Sequence, residues 1–417
     1  MLTETADFVQ SLLTQSGFET RLLWADAGPP AVWGERRGES DWTLLLYNHY
    51  DVQPVDPIDL WDSPPFEPAI REGKLFARGA ADNKAQIALR LATIRALGDS
   101  LPVTIRWIIE GEEEVASPNF DELIRRHADL LHADGCLLEG GGVSPEGRPT
   151  IALGVKGVLA VRLDVELLSG DAHSGTAAVV PSAAWRLVEV LATLRDRAGR
   201  VLVDGFHDAV REPTEEQRRA VAEQPETDED DLRAAFGVVE FLDGVTGVEV
   251  RERLAFAPTA NIAGIRAGYG GPGVKTVLPA RASAWLDFRL VPNQRPDEAL
   301  ELLRAHLDRR GFSDVEITAL AKADAATTSP DDPFVARVIS VAEQVAKNKA
   351  SIYPIIAGSL PVAASLERHV GVPALMAPDN AFYPGCAAHA PNEHIRLGDI
   401  APAVRYFVAL LVELGRS

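Results

Sequence analysis

Short apolar runs alternate with amphipathic helical patterns through the first 140 residues, and this alternation constrains the fold more than any other feature. Apolar runs at 43–47, 103–109 and 136–138 are separated by helical patterns at 84–97 and 121–131. Continuously apolar strands separated by helices are typical of a mostly parallel sheet that helices cover on both faces. We therefore expect an α/β fold for this part of the chain.

The pattern changes near residue 157. Strand and helix patterns then follow in the order strand-helix-strand-strand-helix-strand, at 160–167, 182–195, 260–265, 282–290, 296–309 and 315–320. This order predicts a ferredoxin-like α+β domain, and we interpret its polar, acidic segment at 200–250 as a solvated excursion. Apolar helix and strand patterns return from about residue 333. We therefore expect an inserted domain at 158–322, and a first domain built from 1–157 and 323–417.

Charge and cysteine content exclude several classes of protein. The net charge of −20 would repel the phosphates of nucleic acids and anionic membranes, so we expect neither as a partner. Two cysteines, Cys136 and Cys386, do not provide a disulfide framework. Residues 1–17 lack the pattern of a signal peptide, and no run reaches the roughly 18 apolar residues of a membrane span. A cytoplasmic protein is expected.

Imidazole and carboxylate side chains follow the predicted strands or lie in the loops beside them. They are His49, Asp51, Asp82, Glu112–Glu114, Glu139 and His389. Open α/β sheets bind ligands beyond the carboxyl ends of their strands, and this donor set without thiolates suits zinc, with manganese or cobalt as alternatives. Singly, each residue has a structural alternative, such as a helix cap at Asp82 or a solvated helix start at Glu112–Glu114. Their joint placement favours a metal site, because converging carboxylates are costly without a cation.

Extended motifs along nearly the whole chain resemble one enzyme family. They are LLLYNHYDVQPV at 44–55, PFEP at 65–68, GKLFARGAADNK at 73–84, EGEEEVAS at 110–117, AHSG at 172–175, NIAG at 261–264, KTVLP at 275–279, DFRLVP at 287–292 and HAPNE at 389–393. The chain resembles the co-catalytic zinc metallopeptidases, a family that includes glutamate carboxypeptidase, carnosinase-like dipeptidases, aminoacylase, acetylornithine deacetylase and succinyl-diaminopimelate desuccinylase. The motifs at 50–55 and 288–292 look closest to the dipeptidases, whereas a glutamate at position 139 tends to accompany carboxypeptidase and deacylase activity.

The resemblance implies a site with two zinc ions. Asp82 would bridge the ions, Asp51 would orient an imidazole, and Glu113 would be the general base that takes a proton from a shared water as hydroxide attacks the carbonyl. The implied terminal ligands are His49, Glu114, Glu139 and His389. Glu113 and Glu114 are adjacent in sequence, so we expect a local turn that lets both serve one site.

The resemblance also implies contacts with the substrate. His173 and Asn261 would stabilise the oxyanion, and Gly358 and Ser359 would bind the terminal carboxylate by backbone and hydroxyl donors. Arg289 lies in an otherwise apolar strand, and its guanidinium suits a substrate carboxylate, with a structural ion pair as the alternative. A surface role is the alternative for His173. The inserted domain is implied to act as a lid, to mediate homodimerisation and to donate His173 across the interface.

These observations lead to one expected function and two alternatives. We expect a di-zinc metallopeptidase that hydrolyses dipeptides or small peptides with a free C-terminal carboxylate. The close alternative is an N-acyl-amino-acid deacylase, or aminoacylase. A non-catalytic small-molecule binding module is the third hypothesis, and the complete set of ligands together with Glu113 argues against it.

Overall fold

The computed structural model describes residues 2–144, 147–225, 227–383 and 385–416, without the side chains of Thr227, Asp228, Asp231 and Ala235. Its helices are α1 (Leu2–Thr14), α2 (Ala85–Leu97), α3 (Phe120–Arg126), α4 (Ala183–Ala192), α5 (Glu215–Ala222), α6 (Thr227–Phe236), α7 (Val248–Phe256), α8 (Pro296–Arg309), α9 (Pro333–Ala346), α10 (Pro361–His369) and α11 (Ile400–Leu414). Among the described residues, none of these helices is long and apolar enough to cross a membrane.

The strands form one large sheet, one four-stranded sheet and several small ones. They are β1 (Glu19–Leu23), β2 (Ala31–Arg36), β3 (Thr43–His49), β4 (Ala69–Arg71), β5 (Lys74–Phe76), β6 (Thr104–Glu110), β7 (Gly135–Leu137), β8 (Gly142–Val143), β9 (Pro149–Ala152), β10 (Gly154–Val155), β11 (Gly157–Glu166), β12 (Ala172–His173), β13 (Thr259–Ala267), β14 (Val277–Leu278), β15 (Arg281–Leu290), β16 (Glu316–Ala323), β17 (Ala326–Thr327), β18 (Ser351–Tyr353), β19 (Ala374–Leu375) and β20 (His394–Arg396).

The large sheet has the strand order β1-β2-β6-β3-β7-β19. Strands β6, β3, β7 and β19 are parallel neighbours, whereas β1 and β2 extend one side of the sheet in antiparallel pairing. Apolar side chains of α1, α2, α9 and α11 form a core on one face, and those of α3 and α10 form a core on the other. The expected α/β fold with a mostly parallel, doubly covered sheet is confirmed, and β1 and β2 are additions that the sequence patterns did not predict.

The four-stranded sheet has the order β13-β15-β11-β16, and every neighbouring pair is antiparallel. Numbered along the chain, this is the order 2-3-1-4 of a ferredoxin-like fold, and it confirms the predicted α+β type. Apolar residues of α4 and α8 pack on this sheet in a separate core. The acidic excursion contains α5, α6 and α7. The exact domain division at 157/158 and 322/323 stays a prediction.

The parallel strands place several ionisable residues at one edge of the large sheet. His49 is the last residue of β3, Glu110 is the last residue of β6, and Glu139 lies two residues after the end of β7. Because these three strands are parallel and adjacent, their carboxyl ends open at the same edge. Loops carrying the remaining candidates converge on that edge.

Candidate metal centre

The carboxylate of Asp82 lies at the middle of the candidate site. Its Oδ1 is 3.1 Å from Nε2 of His49, and its Oδ2 is 3.0 Å from Nε2 of His389. On one side, an oxygen of Glu139 lies 3.1 Å from the His49 imidazole, and on the other, an oxygen of Glu114 lies 3.3 Å from the His389 imidazole. Two groups of three possible ligands therefore share Asp82, and the ligand atoms of each group lie within 4.8 Å of one another.

The charges of these side chains fit divalent cations. Burial would raise the pKa of Asp82, but hydrogen bonds with His389 and His49 outweigh it and hold that pKa well below its usual range. Burial raises the pKa of Glu139, and the nearby charge of Asp82 also acts in that direction. Three carboxylates, those of Asp82, Glu114 and Glu139, thus face the two imidazoles of His49 and His389 in a partly desolvated place. Such an excess of negative charge is costly unless cations neutralise it, and nitrogen and oxygen donors without thiolates suit zinc, manganese or cobalt.

Asp51 connects the two halves of the cluster. Its Oδ1 lies 3.1 Å from Nδ1 of His49, which must donate because an ionised carboxylate can only accept. Its Oδ2 accepts a hydrogen bond of 3.0 Å from the backbone N–H of Glu114. The first contact leaves Nε2 of His49 free to act as a ligand, as expected from the sequence, and the second fixes the backbone of a candidate ligand in the other half.

A short turn separates the directions of Glu113 and Glu114. After β6 the chain forms a 3-10 turn at Glu113–Val115, which ends where Ala116 adopts a left-handed backbone with φ of 68°. The local turn expected from the sequence is therefore present. Glu114 is held by Gln53, whose side-chain amide donates to it over 2.7 Å. Burial, together with the charge of Glu139, raises the pKa of Glu113 to about 9, and cations in the site would oppose this shift.

Glu393 holds the backbone that presents Asp82. Its carboxylate is fully buried and accepts hydrogen bonds from the backbone N–H groups of Gly79, Ala81 and Asp82, over 2.9, 2.8 and 3.0 Å. The Arg78 guanidinium pairs with the same carboxylate over 2.7 Å. The sequence motif at 389–393 includes Glu393, but this contact was not predicted from it.

Asn83 connects the Asp82 segment to the third parallel strand. Its side-chain amide donates to the carboxylate of Glu139, and its Oδ1 accepts a hydrogen bond of 3.1 Å from Asn48, the residue before His49. Asn83 was not predicted as part of the site. Its position next to Asp82 in the motif at 73–84 is the one signal that the sequence offers.

A buried ion pair lies directly beneath the strand ends. The Arg90 guanidinium, on α2, contacts Asp379 over 2.6 Å and also donates to the carbonyl of Leu138 and to Oδ1 of Asn48. These acceptors directly precede the candidate ligands Glu139 and His49 in the chain. An arginine on an apolar helix face is costly unless it is paired, so this feature could have been found from the sequence, although its partner could not.

A cavity of about 460 Å³ opens beside the cluster. Asp82, Glu113, Glu139 and His389 line it together with Ser359 and apolar side chains such as Met376. The hydroxyl of Ser359 accepts a hydrogen bond of 2.9 Å from the Arg289 guanidinium, which belongs to β15 of the four-stranded sheet. Of the predicted carboxylate-binding residues, Ser359 thus lines the cleft, and Arg289 contacts it through this hydrogen bond.

Of the remaining predicted substrate contacts, His173 and Asn261 lie away from this cavity, whereas Gly358 directly precedes Ser359 in its wall. His173 is exposed, and its Nδ1 accepts the N–H of Gly175 over 3.0 Å. The Asn261 side chain donates to Asp287 over 2.9 Å, and neither His173 nor Asn261 lines the cavity. The carbonyl of Gly358 accepts a hydrogen bond of 2.9 Å from the backbone of Lys156.

Arg289 also has a contact with an acidic neighbour. Its Nε lies 3.6 Å from Oδ1 of Asp287, a long distance for an ion pair. The structural ion pair that was the alternative role for Arg289 is therefore present, but it is long, and Arg289 also donates a hydrogen bond to Ser359.

Comparison with known proteins gives matches along nearly the whole chain. The model of peptidase family M20/M25/M40 matches residues 45–413. The chain is 28% identical over 443 residues to the Cys-Gly metallodipeptidase dug1 of Schizosaccharomyces pombe, covering 99% of this chain and 90% of that protein. It is 28% identical over 408 residues to the Beta-Ala-His dipeptidase of Homo sapiens, covering 93% and 78% respectively. The crystal structure of the M20 family metallo-carboxypeptidase Sso-CP2 from Sulfolobus solfataricus superimposes with a TM-score of 0.94 at 37% identity, covering 99% of this chain and 94% of that one.

Proposed function

The chain belongs to peptidase family M20/M25/M40, and from that premise we propose that it is a two-zinc dipeptidase for small peptides with a free C-terminal carboxylate. Family membership makes it a hydrolase of amide bonds and implies metal ions. The observation that carries the finer proposal is the position of Asp82, shared by one group with His49 and Glu139 and another with Glu114 and His389. A carboxylate in this position suits a bridge between two cations.

The proposed mechanism assigns the proton transfers to Glu113. Divalent cations held in such a site polarise a carbonyl and lower the pKa of a water. Glu113 lines the same cleft and lies close to His49 and Glu114. We assign it no cation, so that it would accept a proton from the attacking water and deliver it to the departing amine. Asp51 keeps the His49 imidazole in the tautomer that leaves Nε2 available.

Substrate orientation is assigned to the wall that includes Ser359. The guanidinium of Arg289, the hydroxyl of Ser359 and the backbone of Gly358 would bind the terminal carboxylate of a peptide whose amide bond lies over Asp82. The hydrogen bond between Arg289 and Ser359 supports this assignment, because it places a cation next to a hydroxyl that lines the metal cleft.

A carboxypeptidase or N-acyl-amino-acid deacylase is the second candidate function. It is favoured by the glutamate at position 139 and by the similarity to a metallo-carboxypeptidase from Sulfolobus solfataricus. The dipeptidases among the relatives favour the first candidate. Both functions use the same cluster and the same general base.

We also propose that the protein forms a homodimer through its four-stranded sheet. Strand β13 is an edge strand, and it exposes Ile265, of which 57% is accessible. Helix α4, which packs on β15 and β11 of the same sheet, exposes Trp185, of which 70% is accessible. Apolar residues on an unpaired edge suit pairing with a second copy. The exposed position of His173 fits its donation to a partner's cleft.

The buried, free state of both cysteines supports a cytoplasmic location.

The test combines metal content with a substrate panel. We expect the protein loaded with zinc, manganese or cobalt to hydrolyse unblocked dipeptides faster than N-acetyl amino acids. Glu113→Gln should retain its metal while turnover falls by about 100- to 10,000-fold, the range typical of a lost general base. Turnover of acyl substrates with every unblocked peptide inert would refute the dipeptidase proposal, and an active Glu113→Gln variant would refute the assignment of the base.

A further inference from the structure

Lys156 is a buried cation at the point where the chain enters the four-stranded sheet. It lies between β10 and β11, and only 2% of it is exposed. Its ammonium donates a hydrogen bond of 2.7 Å to the carbonyl of Ala257, and its backbone N–H donates to Gly358. Among the described residues, no carboxylate forms an ion pair with it. A buried ammonium without a counter-charge is costly, so an anion is expected nearby in the working protein.

A second cation lies close to Lys156. Burial and the positive charge of Arg289 together lower the pKa of the Lys156 ammonium to about 8. Among the residues that the structure describes, the one acidic contact of Arg289 is the long one to Asp287, and it also donates to the neutral Ser359 hydroxyl. Two neighbouring cations with one weak carboxylate contact between them repel each other. An arrangement of this kind gains stability when an anionic ligand binds to both.

Lys156 and Arg289 line a second cavity, of about 740 Å³. Ala357 lines this cavity and Ser359 lines the metal cleft, so the loop at 357–359 lies between the two spaces. A ligand bound at Arg289 and Ser359 therefore borders both cavities. One part of it would face Asp82 and Glu113, and another part would face Lys156.

Several other ionisable groups in the wall of the second cavity have partners of their own. Asp243 pairs with Arg253 over 3.1 Å, and Asp196 accepts the backbone N–H of Arg200 over 2.8 Å. The imidazole of His207 lies 2.9 Å from the carbonyl of Val201. Lys156 differs from these groups because it is buried and lacks a carboxylate partner.

Resting on the proposed function, we propose that Lys156 binds the side-chain carboxylate of the substrate's C-terminal residue, so that the enzyme prefers peptides that end in glutamate or aspartate. Arg289 and Ser359 would hold the main-chain carboxylate of that residue. Its side chain would then enter the second cavity, where the Lys156 ammonium provides the counter-charge. A C-terminal glutamine has nearly the same shape but no charge, so its side chain would bind the Lys156 ammonium much more weakly.

The experiment compares alanyl-glutamate with alanyl-glutamine. For the wild type we expect kcat/KM to be higher for alanyl-glutamate by about 10- to 100-fold, the value of one charged hydrogen bond. Lys156→Met should reduce this ratio to near one, and Lys156→Arg should restore part of it. The control is Arg200→Met, which removes an exposed cation from the wall of the same cavity and should preserve the ratio.

A second measurement needs no variant. Glutarate should inhibit the wild-type enzyme more strongly than butyrate by about tenfold or more, because only the dicarboxylate engages both cations. A wild type without preference for glutamate, a Lys156→Met variant that loses both substrates equally, or the same change of ratio in Arg200→Met would overturn the proposal. Equal loss would assign the Lys156 ammonium to holding the backbone at Ala257. If the wild type hydrolysed no dipeptide at all, the proposed function itself would fail.

Discussion

Glu393→Gln tests whether one buried carboxylate holds the segment that carries Asp82. Each oxygen of Glu393 accepts two hydrogen bonds, one from the N–H groups of Ala81 and Asp82 and the other from Gly79 and Arg78. Glutamine keeps one acceptor oxygen and turns an amide group toward two donors. The change therefore removes two hydrogen bonds to a charged group and leaves Arg78 without its counter-charge.

Two independent estimates give the expected loss of unfolding free energy in Glu393→Gln. Two hydrogen bonds to a charged group are worth about 3–6 kcal/mol together. Removing one partner of a buried ion pair costs about 3–5 kcal/mol. We therefore expect the free energy of unfolding to fall by about 3–5 kcal/mol, measured by urea unfolding with tryptophan fluorescence. Metal content per chain should fall as well, because the backbone of Asp82 loses its acceptor.

The control is Glu413→Gln, in the last turn of α11. Glu413 is partly exposed and pairs with Arg416 over 3.2 Å, so its loss should change stability by less than about 1 kcal/mol. An equally small change in Glu393→Gln, with metal content unaltered, would refute the assignment of a holding role to this carboxylate.

Three further predictions follow from the same structure. His389→Ala should lose about one of two metal equivalents, whereas the exposed His132→Ala should lose none, as measured by elemental analysis of dialysed protein. Burial raises the pKa of Glu110 to about 8 from 4.5, so the folded state binds its proton more tightly and the wild type loses stability as pH rises through that window. Glu110→Gln should therefore gain stability over the wild type between about pH 5 and pH 8 in urea unfolding, and a constant difference would contradict this. Ile265→Lys should halve the mass measured by sedimentation if β13 joins two copies, while Val239→Lys, on another exposed site, should leave it unchanged.

The positions of the candidate ligands were predictable where they follow parallel strands. His49 and Glu139 lie at the carboxyl ends of adjacent parallel strands. The alternation of apolar strands with helices in the sequence predicts a parallel sheet, and therefore predicts that these two residues lie at the same edge. The ferredoxin-like order was predictable for a similar reason, because its strand and helix patterns are local. Strand β1 was missed because it is a short, largely polar edge strand with only Leu23 buried. Strand β2 begins with four buried residues, but its run is short and Gly34 interrupts it, so its sequence gives no clear strand signal.

The partners that hold the ligands were not predictable from the sequence. Arg90 and Asp379 are 289 positions apart, and nothing in local spacing indicates which buried charges will meet. Asn83 and Glu393 act through hydrogen bonds to residues distant in sequence, and the geometry of these bonds depends on how separate loops pack. Local patterns thus identify where ionisable groups gather, whereas tertiary packing decides which of their neighbours orient them.

The hydrogen bond between Asp82 and Glu393 joins residues 311 positions apart. A ribosome adds roughly 5–20 residues each second, so a growing chain carries His49 and Asp82 for some time before Glu393 and His389 have been made. During that interval the part of the chain already made contains His49 and Asp82. It lacks His389 and the Glu393 carboxylate that holds the backbone of Asp82. Competence for hydrolysis is therefore tied to synthesis of the segment at 389–393, and products truncated before it would lack peptidase activity.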